Sequence, residues 1–227
     1  MRTVLDSDQS GPFALDVKFV ADGGITILFG ASGSGKTTTL RAIAGIIKPD
    51  RGRIKVAGHT FFDSESGVNV SMQQRRVGYV FQDYALFPHF NSEQNVAYGI
   101  KEPTEGARLA RAREMLALFK VDHIGRRYPR NLSGGEQQRI ALARALASHP
   151  SVVLLDEPLS AVDVETRASL LDEVALAQAR FGIPFLYVTH NIAEALRLGT
   201  NVVVLDKGQV KITGVPSQIF SRLPTNK

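Results

Sequence analysis

Between Gly30 and Thr38 the sequence reads GASGSGKTT, which places Gly30, Gly35, Lys36 and Thr37 at the spacing G-x-x-x-x-G-K-[ST]. Residues of these types in this order suit the holding of a polyphosphate. Glycines let backbone N–H groups converge on an anion, and a helix opening directly afterwards aims its positive end at the same point. Lys36 would neutralise β- and γ-phosphates, and the Thr37 hydroxyl would help coordinate Mg2+. Gly30, Ala31, Ser32, Gly33, Ser34, Gly35, Lys36, Thr37 and Thr38 are the candidate phosphate contacts. Without a ligand, the same stretch reads as a Gly/Ser-rich turn.

Two further groups can do chemistry. Val152-Val153-Leu154-Leu155 ends in Asp156-Glu157-Pro158. A carboxylate leaving a buried strand there can hold Mg2+ through its water shell, and Glu157 beside it can orient and deprotonate a water. The alternative is a surface loop that opens with two acids. Leu132-Ser133-Gly134-Gly135-Glu136-Gln137-Gln138-Arg139 sets a hydroxyl and two glycines before a helix, which makes a second anion site. Ser133 and Glu136 also fit a capping box, and both readings can hold together. One small domain rarely needs two γ-phosphate cradles, so the second loop could serve a nucleotide held by another copy of the chain.

These groups need elements to position them. Ile25–Phe29 is a short apolar run suited to a buried parallel strand, and Thr37–Ala44 reads as a helix closed by Gly45. Phe13–Val20 alternates with period two as a strand, turned by Asp22-Gly23-Gly24. Arg53–Val56 is strand-like, so that residues 1–24 and 53–80 together predict antiparallel β structure beside the nucleotide core. Tyr84, Leu86, Phe87, Pro88 and Phe90 form an aromatic-rich loop, and Ala107–Phe119 carries helical spacing at Leu109, Ala112, Leu116 and Phe119. A helix is expected after Ser133-Gly134-Gly135, running to Ala147, then a strand over Val152–Leu155 and a helix from about Glu165 to Arg180. Strands follow over Phe185–Val188, ending in Thr189-His190, and over Asn201–Leu205 and Gln209–Thr213. Alternation of strand and helix argues for a mostly parallel sheet with helices on both faces. Ligands sit at the carboxyl ends of such strands, where the phosphate loop, Asp156 and His190 all fall.

Composition narrows the class. The 227 residues are 44% hydrophobic and 22% charged, as in an ordinary globular chain. No apolar run approaches the ~18 residues needed to span a bilayer, and the N-terminus lacks a signal layout. With no cysteine, thiolate metal sites and disulfides are excluded. The net charge of +5 is scattered, with short pairs such as Arg75-Arg76 and Arg126-Arg127, which reads as a solvated surface and not as a nucleic-acid face.

In their order the motifs resemble the nucleotide-binding subunit of ABC transporters, over about residues 13–220. GASGSGKTT resembles Walker A, Gln82 the Q-loop glutamine, LSGGEQQR the family signature and VVLLDEP Walker B with its catalytic Glu157. Ser160-Ala161-Val162-Asp163 resembles the D-loop, with Asp163 as its acid, and His190 the switch histidine. The resemblance implies an α/β fold: a P-loop NTPase core with a mostly parallel sheet, an added antiparallel β subdomain and a small helical subdomain at about 83–131. It implies a single ABC ATPase domain over residues 1–227, without a C-terminal regulatory domain.

A homodimer would close head to tail on two ATP molecules, with Ser133, Gly134, Gly135 and Gln137 of one copy facing the nucleotide bound by Lys36 of the other. Glu157, His190, Gln82 and Lys36 would form the catalytic set, and Thr37, Gln82 and Asp156 the Mg2+ set. Phe13 would stack on the adenine, Phe19 being the alternative. Gln82 would report to a membrane permease, which holds the subunit at the cytoplasmic face of the inner membrane and links it indirectly to a solute-binding protein. The aromatic loop would be either the groove for a permease helix or a hydrophobic cluster of the small lobe. Neither a long coiled coil, a second cassette nor membrane helices interrupt the sequence, which favours an importer. Phe62-Asp63-Ser64, Arg75 to Asp83 and Leu86-Phe87-Pro88-His89 resemble the ATPase of molybdate importers. Sulfate, iron, polyamine or sugar importers are alternatives, as is a nucleotide-gated dimerising module with little turnover.

Overall fold

In the computed structural model, which describes residues 2–5, 13–21 and 23–221, the chain folds as two units: residues up to Arg75 with those from Gln178 onward, and Arg76–Ala177. The first unit opens with an antiparallel ribbon, β1 (Arg2–Leu5) and β2 (Phe13–Asp16). The strand expected to reach Val20 stops at Asp16, whose N–H donates to Gly208 O at 2.7 Å. Asp22, the expected turn residue, lies outside the described residues. Next comes β3 (Ile25–Phe29), buried on both faces, and then α1 (Lys36–Ala44). Gly45 ends α1 at φ 84°, in the left-handed region, and the N–H of Ile46 reaches back to Arg41 O at 2.9 Å. A separate three-stranded antiparallel sheet follows, made of β4 (Arg53–Val56), β5 (His59–Asp63) and β6 (Val68–Asn69).

Arg75 joins that small sheet to α1. It is 1% exposed, with Nη1 donating to Ala42 O and Ile43 O at 2.8 Å each, Nε to Val70 O at 2.8 Å and Nη2 to Asn69 Oδ1 at 3.1 Å. A cation at the carbonyl end of a helix is favoured by the helix dipole, and the Phe61 ring, 5.6 Å away, covers it. Burial pulls its pKa below the ordinary guanidinium value.

The second unit starts with β7 (Val77–Val80) and continues through α2 (Ser92–Ala97), α3 (Glu105–Leu118), α4 (Gly134–Ala147), β8 (Val152–Asp156) and most of α5 (Val164–Phe181). Residues 77–80 do not extend the antiparallel sheet as the sequence suggests. They pair in parallel with β8, from Val77↔Val152 to Val80↔Leu155. Gly78 makes this possible, because a Cβ there would lie 2.6 Å from Ala145 O of α4. Asn91 starts α2 with a full capping box, and Thr104 caps α3 two residues earlier than its spacing suggests.

Beyond α5 the chain completes the first unit with β9 (Phe185–Thr189), α6 (Ile192–Leu198), β10 (Asn201–Asp206), β11 (Gln209–Gly214) and α7 (Pro216–Phe220). Its sheet has the order β1-β2-β11-β10-β3-β9. β3 lies between β9 and β10, parallel to both, and β10 turns into β11 through Lys207 and Gly208 at φ 46° and 78°, a pairing suited to a two-residue hairpin.

Because Arg75 satisfies the last carbonyls of α1 from a buried position, Arg75→Met is expected to cost about 3 kcal/mol of stability. Urea unfolding should show the midpoint falling with little change in slope, and Arg75→Lys, which has one ammonium for four acceptors, should recover less than half of the loss.

Candidate active site

Each unit contributes one adjacent pair of parallel strand ends. In the first, Phe29 stands opposite Thr189, so Gly30 and His190 leave the sheet side by side. The loop after Phe29 is held from below. A Cβ on Gly30 would lie 2.3 Å from Leu205 O, and one on Gly35, at φ 103°, would lie 2.5 Å from Leu15 Cδ1 and 3.2 Å from Phe13 Cζ. The Gly208 N–H donates to Ser34 O at 3.1 Å, and the Ser34 N–H to Ala31 O at 3.2 Å. Around this frame Lys36 is only 4% exposed, and its Nζ donates to Gly30 O and Ala31 O at 2.8 Å each. The loop is thus wrapped about its own ammonium.

Three observations test whether a phosphate chain fits. α1 begins at Gly35 without a side-chain cap and has no acidic residue in its first turn, so its positive end is not offset locally. The Ser34 hydroxyl is buried with no hydrogen-bond partner among the described residues. Lys36 brings a full positive charge into the same loop. Helix end, orphaned hydroxyl and ammonium form a donor set that an anion satisfies. Ala31, Ser32 and Gly33 are exposed, and Thr37 and Thr38 are half-buried. Phe13 is half-buried at the base of the loop, against Gly35.

His190 is exposed, between two tightly tied neighbours. Glu194, 6% exposed, accepts from Tyr187 Oη at 3.0 Å and Thr189 Oγ1 at 2.8 Å. Thr189 Oγ1 in turn accepts from the Asn191 N–H at 3.0 Å, and Asn191 Oδ1 accepts from the N–H groups of Ala193 and Glu194 at 2.8 and 3.3 Å. Asn191 and Glu194 belong to none of the sequence motifs. Their signal was present, an Asn followed three residues later by Glu at the start of a helical turn.

In the second unit Val80 stands opposite Leu155, so the Gln82 turn and Asp156 follow adjacent strand ends. Asp156 is 5% exposed, and Tyr79 Oη donates to its Oδ2 at 3.1 Å. Glu157 leaves the strand at φ 44°, a left-handed conformation that a non-glycine residue adopts at a cost, and its carbonyl accepts from the Ser160 N–H at 3.1 Å. Gln82 is exposed.

The segment from Ser133 forms the capping box at the start of α4. The Glu136 N–H donates to Ser133 Oγ at 3.3 Å, and the Ser133 N–H to Glu136 Oε2 at 2.7 Å. Its glycines do more than free the backbone. A Cβ on Gly134 would lie 3.2 Å from Ala161 O and one on Gly135 2.8 Å from Thr166 Cγ2, so the loop rests directly on the Ser160–Asp163 segment and the start of α5. Asp163 Oδ1 accepts from the Thr166 N–H at 2.8 Å, and this backbone donor lowers its carboxyl pKa. Arg139 clamps the same two helices through paired bonds to Glu173 at 2.9 Å each. Gln137 turns inward and donates to Pro129 O at 3.3 Å and Leu132 O at 3.1 Å.

The sequence pattern of the ABC transporter family matches residues 16–160 of this chain. The chain belongs to the ABC transporter family. Among curated ABC relatives, the molybdenum import ATP-binding protein ModC of Brucella melitensis is 41% identical over 222 residues, covering 96% of this chain and 60% of that protein. ModC of Albidiferax ferrireducens is 43% identical over 216 residues, covering 95% and 58% respectively. The chain therefore spans about 60% of the length of the curated relatives it matches. A solved ABC structure, the ATP-binding cassette MJ0796 as a dimer in a post-hydrolysis state bound to ADP and Pi, superposes with a TM-score of 0.80 at 27% identity over 95% of this chain and 96% of that one. CbiO1 of Clostridium perfringens, part of the transporter complex cbiONQ, gives 0.79 at 26% identity over 97% and 88%. The ABC ATPase fold, with its mostly parallel sheet, separate antiparallel sheet and helices, is the fold of this chain.

The capping box makes the start of α4 sensitive to acid. The backbone N–H of Ser133 is the main cause holding the Glu136 carboxyl below its ordinary value of 4.5. A lowered folded value means the contribution is complete above the ordinary value and is lost as pH falls through the folded one. Glu136→Gln can keep both of the cap's hydrogen bonds but not its charge. Denaturation at a series of pH values should therefore show the wild type losing more stability than Glu136→Gln between about pH 5 and pH 3.

Proposed function

We propose that this chain is the ATP-binding and ATP-hydrolysing subunit of an ABC importer, working as a head-to-tail homodimer beneath a separate membrane permease, and that the solute is molybdate or a related oxyanion. The observation that carries the ATPase reading is the phosphate loop itself, a buried ammonium and an orphaned hydroxyl at an uncapped helix start. The names of the relatives support the solute class. Among the described residues no helix is long and apolar enough to cross a membrane, which suits a subunit held peripherally at the inner face by its permease. A solute-binding protein would deliver the oxyanion on the other side.

The residues then divide the work. Gly30 to Thr38 bind the phosphates, with Lys36 offsetting their charge, and Phe13 flanks the adenine. Thr37, Asp156 and Gln82 would hold Mg2+, a hard ion that suits their oxygens. When bound, the ion neutralises charge building on the phosphate oxygens. Glu157 orients a water and takes its proton as the oxygen bonds to the γ-phosphorus. The bond from that phosphorus to the β–γ bridging oxygen breaks, and ADP leaves with the electron pair. His190 donates to the γ-phosphate to keep it in line. Ser133, Gly134, Gly135 and Gln137 approach the nucleotide of the partner copy, and Asp163 lies in the same interface. Such chemistry needs positioning and charge stabilisation more than covalent steps, so closure of two copies governs it.

Glu157 provides the test. With Mg2+ and ATP, Glu157→Gln is expected to lower turnover at least about 100-fold while retaining ATP in a dimer detectable by light scattering after size exclusion. Equal slow turnover in both proteins with no ATP-dependent dimer would sink the enzyme reading and leave a nucleotide-gated module. For the solute, proteoliposomes carrying the permease should hydrolyse ATP faster with binding protein loaded with molybdate than with sulfate.

A further inference from the structure

The turn that carries Gln82 contains two consecutive non-glycine residues in the left-handed region, Tyr84 at φ 62° and Ala85 at φ 44°. Each such residue costs on the order of 1 kcal/mol and persists only where its surroundings impose it. The turn's own backbone supplies the bond from the Tyr84 N–H to Phe81 O at 3.0 Å. Ala85 is exposed, so its conformation is not fixed by packing of its side chain.

A side chain from α4 bonds both of these peptides. Arg144 Nη2 donates to Tyr84 O at 2.7 Å and Nη1 to Ala85 O at 2.7 Å. A planar guanidinium fork can meet two consecutive carbonyls at once, which a lysine ammonium cannot match. The same guanidinium lies 5.5 Å from the centre of the Phe87 ring, and that ring contacts Tyr98 at 4.5 Å and Phe90 at 5.5 Å. Burial lowers the pKa of Arg144, and the Asp83 carboxylate opposes that effect. This partly buried cation therefore grips both strained peptides and the aromatic cluster beside them.

We propose that Arg144 is the positioning residue of the Gln82 turn, linking the carbonyls of Tyr84 and Ala85 and the Phe87 ring to the helix that begins at Ser133. α4 is 14 residues long, and Arg144 sits about three turns along it. A shift of the aromatic loop would be carried through one rigid helix to the signature segment, and a shift of that segment would reach Gln82 by the same route. The effect on turnover rests on the proposed role of Gln82 in hydrolysis; the effect on the turn does not.

The experiment combines Arg144→Met, Arg144→Lys, Ala85→Gly and the double variant Arg144→Met with Ala85→Gly, since glycine adopts the left-handed region at no steric cost. Backbone amide exchange over residues 82–90 is expected to quicken about tenfold in Arg144→Met and at least about threefold in Arg144→Lys, with the amides of α5 changed less than about twofold. In ATP turnover, kcat should fall about tenfold in Arg144→Met with KM within about twofold. Adding Ala85→Gly should restore at least about threefold of both losses, a rescue that a general packing defect would not show. Unchanged exchange over 82–90, an equal rise in α5, or no rescue by Ala85→Gly would overturn the proposal. If Arg144→Met does not fold, Arg144→Lys with and without Ala85→Gly decides by the same readouts. A wild type without ATP turnover would remove the proposed function, while the exchange measurements would still decide the role of Arg144.

Discussion

Two parallel strand registers set the position of the phosphate loop, His190, the Gln82 turn and Asp156-Glu157. With Phe29 level with Thr189, the phosphate loop and His190 leave the first unit's sheet at the same height. With Val80 level with Leu155, the Gln82 turn and Asp156-Glu157 do so in the second. A slip of one residue in either pair would turn every side chain of the strand to the opposite face. The close packing of β3, β8 and β9, buried along both faces, makes such a slip costly, so these apolar runs fix the height of the polar residues that follow them.

Much of the local order depends on cations that donate to main-chain carbonyls. Lys36 holds the phosphate loop closed, Arg75 finishes α1, and Arg144 grips the Gln82 turn. A carbonyl satisfies a donor without cancelling its charge. For Arg75, at the negative end of a helix, the remaining field is stabilising; for Lys36, at the positive end of the same helix, it adds to what an anion would meet. Arg139 differs: its bonds to Glu173 form a neutral clamp, suited to fixing two helices and not to attracting a ligand.

The strands that carry the site could be read from the sequence almost to the residue, because β3, β8 and β9 are short apolar runs bounded by glycine, proline or acid. Their neighbours could not. Val77–Val80 gives no sign of whether it pairs in parallel, since that is decided by a helix approaching over Gly78, 67 positions before Ala145 in sequence. Phe13–Val20 alternates as a strand does, yet the pairing with β11 is confined to Asp16↔Gln209. For the site, spacing alone marked the phosphate loop, and the capping box at Ser133 and Glu136 is present as the sequence suggested. What no motif disclosed was the tertiary reason for its glycines, which rest against Ala161 and Thr166, or the tasks of Arg75 and Arg144. A guanidinium bonded to distant carbonyls looks in sequence like any other solvated charge.

The place of β3 between β9 and β10 also bears on how the protein is made. Residues 25–29 leave the ribosome early, but both of their neighbours, residues 185–189 and 201–206, are made much later. The second unit, by contrast, draws on the contiguous stretch 76–177 and can collapse while synthesis continues. Pairings this distant in sequence close slowly, because the loop entropy must be met before any contact returns it. The phosphate loop therefore acquires its frame only once β9 and β10 have been made, and a nascent chain that stalls anywhere before β10 lacks a finished seat for nucleotide.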